Sequence, residues 1–194
     1  MNKLKLFPLG LVAYPTKIVP LHIFEERYKA LINECISLKQ EFGMVYSLDS
    51  GLADFGCSLS VSEVIKTYPN GEMDIITKGQ RIFKIHSNIV ENELNVGQVE
   101  FQDDKNEPFG DQFDKLKEKY LKLLLQLGVT DQIERHMNKT RSFELIEHIQ
   151  LPHEVELLLI STRSEIDRLR VLHEIFDQIL KKGIDKVNNQ VFKS

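Results

Sequence analysis

The spacing of apolar positions changes part-way along the chain, and the change divides it in two. Up to Phe101 apolar and polar side chains mostly alternate. Cys57, Leu59 and Val61 are set against Ser58, Ser60 and Ser62, and Arg81-Ile82-Phe83-Lys84-Ile85 follows the same rule. A period of two marks a strand with one covered face. Strands are also predicted at Phe42–Tyr46, in the run ending near Thr67, at Met73–Ile76 and over Val96–Phe101. Tyr68-Pro69-Asn70-Gly71 reads as a hairpin turn, because Asn-Gly accepts positive φ at low cost. Leu9 to Val19 is rich in Val, Ile and Tyr but broken by Gly10 and Pro15, which predicts short strands with a turn. One helix interrupts the strands after Pro20. Phe24, Tyr28, Leu31, Ile32, Cys35 and Ile36 fall at helical spacing, with Glu25, Glu26, Arg27, Lys29 and Glu34 on the other face.

Beyond the polar stretch Gln102–Pro108 the period becomes helical. Phe113, Leu116, Tyr120, Leu123, Leu124 and Leu127 form one stripe that Gly128 caps. A short helix is predicted around Phe143, Ile146 and Ile149, and Pro152 suits the first turn of the next, which carries Val155, Leu158 and Leu159. Thr162-Arg163-Ser164-Glu165 matches a capping box and opens a last helix with the stripe Ile166, Leu169, Leu172, Phe176, Ile179 and Leu180. Gly183 is the expected stop, and the tail from Asp185 to Ser194 is polar. There is no internal repeat. The expected organisation is a strand-rich part over residues 1–104 and a helical part over 105–194.

These elements give an α+β class. Short, closely spaced strands joined by hairpins favour a small β-barrel with one inserted helix, followed by a helical bundle. A parallel sheet needs helical crossovers, and the strand-rich part offers one helix.

Composition narrows the function classes. At 194 residues, 42% hydrophobic and 28% charged, the chain can bury an ordinary core without staples. A net charge of −4 argues against nucleic acid, whose binding leaves a basic footprint. The two cysteines, Cys35 and Cys57, lie among apolar residues and read as buried small hydrophobes, which suits a reducing compartment. Pro8 interrupts the start, and no apolar run is long enough to span a bilayer. A soluble, cytoplasmic protein without membrane contact is expected.

Motifs for catalysis are absent. No Gly-Lys dipeptide exists for a phosphate-binding loop, and neither Gly-x-Gly-x-x-Gly nor Gly-x-Ser-x-Gly occurs. Among six histidines, His153-Glu154 begins like a zinc-protease helix, but Leu157 stands where the second histidine belongs. His173 and Asp177 share a helical face, yet two ligands make no metal site, and the reading favoured is a polar flank of the Leu172/Phe176 stripe. Lysines 115, 117, 119 and 122 are interleaved with Asp111, Asp114 and Glu118, as on a salt-bridged helix surface. No metal and no cofactor are expected.

Two segments carry a resemblance. Leu6-Phe7-Pro8-Leu9 and Pro20-Leu21-His22-Ile23-Phe24-Glu25-Glu26-Arg27-Tyr28 are similar to the opening of the Lon protease N-terminal domain family. Phe42-Gly43-Met44-Val45, Phe55-Gly56-Cys57-Ser58-Leu59, Asn70-Gly71 and Gly79-Gln80-Arg81-Ile82-Phe83-Lys84-Ile85 resemble its later segments at suitable distances. Two departures stand out. Thr16 replaces a frequent Gly, which predicts a turn without positive φ, and Glu26 replaces a frequent Pro, which extends the helix by one residue.

The resemblance implies a PUA-like barrel plus helices, related to peptidase S16 proteins. In that family the domain recognises unfolded or damaged polypeptides in protein quality control, ahead of ATPase and Ser-Lys protease modules. Neither module has its motif here, so a non-catalytic polypeptide-binding module is expected, as a monomer or weak homo-oligomer. The rival readings are a peptidase or other hydrolase and an RNA-binding PUA-like module. Pro20, Leu21, Ile23 and Phe24 are expected in the core. The candidate contact residues are Tyr14, His22, Glu25 and Arg27. For Glu25 and Arg27 an internal salt bridge or backbone clamp competes with ligand contact, and for Tyr14 and His22 plain packing does.

Overall fold

In the computed structural model the described residues are 1–105, 108, 110–129, 131 and 133–182. Gly183, the tail from Asp185 to Ser194, and Asn106 and Glu107 of the linker lie outside them. The chain divides into two compact units, Met1–Asp103 and the part from Asp104 onward.

The first unit holds the strands β1 (Asn2–Leu9), β2 (Ile18–Ile23), β3 (Phe42–Leu48), β4 (Gly51–Thr67), β5 (Met73–Glu91) and β6 (Leu94–Phe101), with helix α1 (Glu26–Leu38) between β2 and β3. They form a six-stranded sheet in the order β2-β5-β4-β3-β1-β6, with a further pairing of β5 to β6. The hairpin at Tyr68–Gly71 forms as expected. Gly71 has φ +81°, and its N–H donates to the Tyr68 carbonyl at 2.9 Å. Beneath the sheet one apolar cluster joins Phe7, Leu21, Ile23, Tyr28, Leu31, Ile32, Phe42 and Leu59.

Four expectations need correction here. First, β4 and β5 are long, at 17 and 19 residues. Register shifts bend them, so one strand can serve two neighbours: among the described residues β4 pairs β3 through Leu59 and pairs only β5 beyond it. Ser58, at this shared centre, is fully buried rather than half-exposed.

Second, β1 and β3 pair in parallel, Leu6 with Gly43 through Leu9 with Tyr46. A single crossover containing α1 is enough for one parallel pair.

Third, Pro20–Ile23 is strand rather than helix entry. The alternation in β2 buries Val19, Leu21 and Ile23 and turns Pro20 and His22 outward. Phe24, beyond the strand end, is 59% exposed and so is not core. The helix then begins at Glu26, where the sequence places its extra residue.

Fourth, Thr16 has φ +75°. The tight return after Pro15 imposes the left-handed conformation whichever residue is present. Its N–H donates to the Gly79 carbonyl, and the Gly79 N–H donates to the Lys17 carbonyl, each at 2.9 Å. Gly79 is required there, because a Cβ would lie 2.0 Å from the Tyr14 carbonyl oxygen.

Among its described residues the second unit holds α2 (Gln112–Gln126), α3 (Ile133–Met137), a 3₁₀ turn (Ser142–Ile146), α4 (His153–Ser161) and α5 (Glu165–Lys182). The α2 stripe is buried from Phe113 to Leu124, whereas Leu127 is partly exposed, at 41%. Gly128 closes the helix with φ +74°, and the Val129 N–H reaches the Leu124 carbonyl. This is the glycine-dependent double hydrogen bond that ends many helices.

The capping box at Thr162 is not formed. The Thr162 hydroxyl donates to the Leu158 carbonyl, the Ser164 hydroxyl accepts from the Asp167 N–H, and Glu165 turns inward. In α4 Leu158 is half exposed, while Ile160 and Glu156 are buried.

Candidate functional site

Residues of the segments Leu6–Leu9 and Pro20–Tyr28 line a groove of about 450 Å³ in the first unit. One wall is Phe7, Pro8 and Leu9 of β1. The other is Pro20–Ile23 of β2, continued by Phe24, Glu25, Arg27 and Tyr28 at the start of α1, and Asn95 of β6 completes the lining. Both flanking strands are half-paired. From Phe7 onward β1 is bonded to β3 alone, and β2 is bonded to β5 alone, among the described residues. Pro8 and Pro20 have no N–H to offer, so the groove combines apolar side chains with strand segments poor in main-chain donors. Its size suits a few side chains of a bound chain.

Three of the four candidate residues line this groove. Arg27 donates through Nε to Glu25 Oε2 at 2.9 Å, and its Nη2 lies 2.7 Å from the same oxygen. Its Nη1 donates to the Glu93 carbonyl at 3.0 Å. Salt bridge and backbone clamp are thus one arrangement, and half-exposed rather than buried.

His22 Nδ1 lies 2.7 Å from Asp74 Oδ1 and its Nε2 3.4 Å from Glu72 Oε2. Tyr68 donates its hydroxyl to Asp74 Oδ2 at 2.7 Å. The bonds from His22 and Tyr68 hold the Asp74 carboxyl below the usual carboxylate range, and the bond to Asp74 pushes the Tyr68 phenol up. Among the described residues His22 is partnered by the carboxylates of Asp74 and Glu72 and by the rings of Phe24 and Tyr68.

Tyr14 stands apart. It is buried, with Lys17 Nζ 4.7 Å from its ring centre, which places it in packing. No local signal marks Phe7–Leu9 or Asn95 as sharing a groove with His22, because they come from strands remote in sequence, placed by the register of β1 with β3 and β6.

Other candidate chemistry is placed as structure. Burial pushes the Cys35 thiol up to about 11 and that of Cys57 to about 12, which makes both poor nucleophiles. His173 Nε2 lies 3.2 Å from the Gln112 carbonyl, and Asp177 pairs with Lys119 at 2.6 Å, so each is partnered by α2 or its start. Among the described residues no group of three or more His, Cys, Asp or Glu side chains is placed to hold a metal ion. No described helix is long and apolar enough to cross a membrane.

Comparison with known proteins decides the relationship. The family model for the ATP-dependent protease La (LON) substrate-binding domain matches residues 3–174. The chain belongs to the Lon substrate-binding domain family. Its fold matches a crystal structure of a Lon N-terminal domain protein from Xanthomonas campestris, with TM-score 0.73, 23% identity, and 90% of this chain and 98% of that one covered. It also matches the N-terminal domain of the Mycobacterium avium complex Lon protease, with TM-score 0.76, 14% identity, and 91% and 98% covered. At such identities the two structures establish the Lon N-terminal fold. The matching family model describes a substrate-binding domain, and no catalytic domain is indicated.

Proposed function

We propose that this Lon N-terminal domain binds unfolded or damaged polypeptide in the groove between β1 and β2, without catalysis, in the cytoplasm. The observation that carries the reading is the groove itself. It lies within the part of the chain that the substrate-binding family model matches, is lined mainly by apolar side chains, and is flanked by two strands paired on one side only among the described residues. Because Pro8 and Pro20 remove donors, apolar contact supplies most of the affinity and main-chain bonding the rest. Pairing of β3 with β1, β1 with β6, β6 with β5, β5 with β4 and β4 with β3 supports the finer reading of the sheet as a PUA-like barrel. A monomer or weak homo-oligomer suits a domain that presents such a groove.

The charges on the groove are already partnered: Arg27 by Glu25, and His22 by Asp74 and Glu72. Binding should therefore depend little on salt. The test is a fluorescence-anisotropy titration of the full chain against several reduced, carboxymethylated polypeptides and a single-stranded RNA. Similar affinities for unrelated unfolded chains are expected, weakened by Phe24→Asp. A phosphate-tracking mode would instead favour RNA and lose about a thousandfold or more between roughly 50 and 200 mM salt. Absence of binding to every unfolded chain would remove the proposal.

A further inference from the structure

The groove has two sides that are distant in sequence, and one side chain joins them. Arg27, at the start of α1, donates to the carbonyl of Glu93, 66 residues away. Glu93 and Asn92 form the two-residue turn between β5 and β6, and both are left-handed, with φ of +63° and +49°. Asn92 accepts this conformation at low cost but Glu93 disfavours it, so a tether on the Glu93 carbonyl has a strained residue to hold. Two residues on, Asn95 lines the groove, as do Glu25, Arg27 and Tyr28 on the other side. The guanidinium is also fixed at its own end, by two contacts to Glu25 Oε2 and by lying 4.6 Å from the Tyr28 ring centre.

We infer that Arg27 is the positioning residue of this groove, bridging the Glu25 carboxylate and the Glu93 carbonyl so that the β5–β6 turn is held against the start of α1. The inference deepens the binding reading and rests on it for its consequence, though not for its geometry. Neutralised by Glu25 and directed at a main-chain carbonyl, Arg27 does not act as a receptor for an anion; it sets the spacing between the start of α1 and the β5–β6 turn that leads into Asn95. A planar fork satisfies both partners at once, which a lysine ammonium at the end of a flexible stem does not.

Two measurements on the full chain decide it: amide hydrogen exchange at the β5–β6 turn, and anisotropy with a reduced, carboxymethylated polypeptide. In Arg27→Met, exchange at the turn should rise about tenfold, while exchange at the Tyr68–Glu72 hairpin stays as in the wild type. Affinity should fall about tenfold, and Arg27→Lys should restore both readouts only in part. Unchanged exchange at the turn in Arg27→Met overturns the inference. So does lost affinity with unchanged exchange, since Arg27 would then touch the bound chain itself. If Arg27→Met does not fold, Arg27→Lys decides on the same exchange readout. A wild-type chain that binds no probe would sink the binding reading, while the exchange result still settles the tether.

Discussion

The strand unit and the helical unit place their charges in opposite ways. In the first, the buried polar residues are Ser58, Thr77 and Lys29, and the Lys29 ammonium reaches out to Glu26 and the Asn70 carbonyl. Its other ion pairs sit at the surface, some of them around the groove. In the second, His136, Lys139, Glu156, Glu165 and Arg168 are all buried. Arg168 donates to both Asp104 oxygens, to Glu165 and to the Thr162 carbonyl, and Glu165 accepts from the Ser142 N–H and hydroxyl at 2.7 and 2.8 Å. A sheet obtains its register from alternation and ladder bonds. Short helical pieces lack that, and here a buried ion network ties the 3₁₀ turn, the start of α5 and Asp104 to one another. Such a network is a poor source of net stability, but removing one member strands the others.

The largest expected effect tests that contrast directly. Arg168→Met leaves the buried Glu165 without its cation and should cost about 3–5 kcal/mol in urea denaturation. A loss under about 1 kcal/mol would mean that the network is ornamental. Next comes a backbone contact in the strand unit. Gly79→Ala forces a Cβ against the Tyr14 carbonyl and should cost about 2–3 kcal/mol, read from the same denaturation curves. If the alanine is tolerated, the return at Thr16–Gly79 is looser than its two hydrogen bonds indicate.

Much of the strand unit was legible in advance, because alternation and Asn70-Gly71 are local signals. His22, Glu25 and Arg27 were visible as candidates through their place in a specific segment. The rest was not, for physical reasons. Thr16 is left-handed because Gly79 and Lys17 bond around it, and those partners are remote in sequence. Glu165 and Arg168 are three apart, a spacing that normally signals a surface pair, and only Ser142 and Asp104 reveal that it is internal. The Thr162 signature failed for the same cause, since its acid is drawn into that network.

Two smaller effects sharpen the contrast further. Thr16→Gly should stabilise the strand unit by about 1 kcal/mol, the relief of a β-branched residue at positive φ less the entropy of glycine, seen as a higher denaturation midpoint. No gain would mean that Thr16 is held by more than backbone geometry.

The smallest effect is the response to acid in the helical unit. Burial, with Lys139 and His148 nearby, holds His136 below its ordinary value of 6.5 in the folded state. Its contribution is therefore complete above that value and is lost as pH falls from there toward the folded pKa, because the unfolded chain takes the proton first. His136→Gln should reduce the difference in urea midpoint between about pH 7 and about pH 5. An identical difference in both proteins would assign the acid response to other groups.

Beyond Leu59 the outer side of β4 has no strand partner among the described residues, and its pairing with β5 slips at Val61/Glu63 and again at Val64/Lys66. An unbroken, flat strand there would be a template on which foreign β-structure could grow. The two kinks, with a carboxylate and an ammonium between and after them, spoil that template. On the binding reading proposed above, the domain would thereby keep from becoming the seed on which bound chains grow into fibrils.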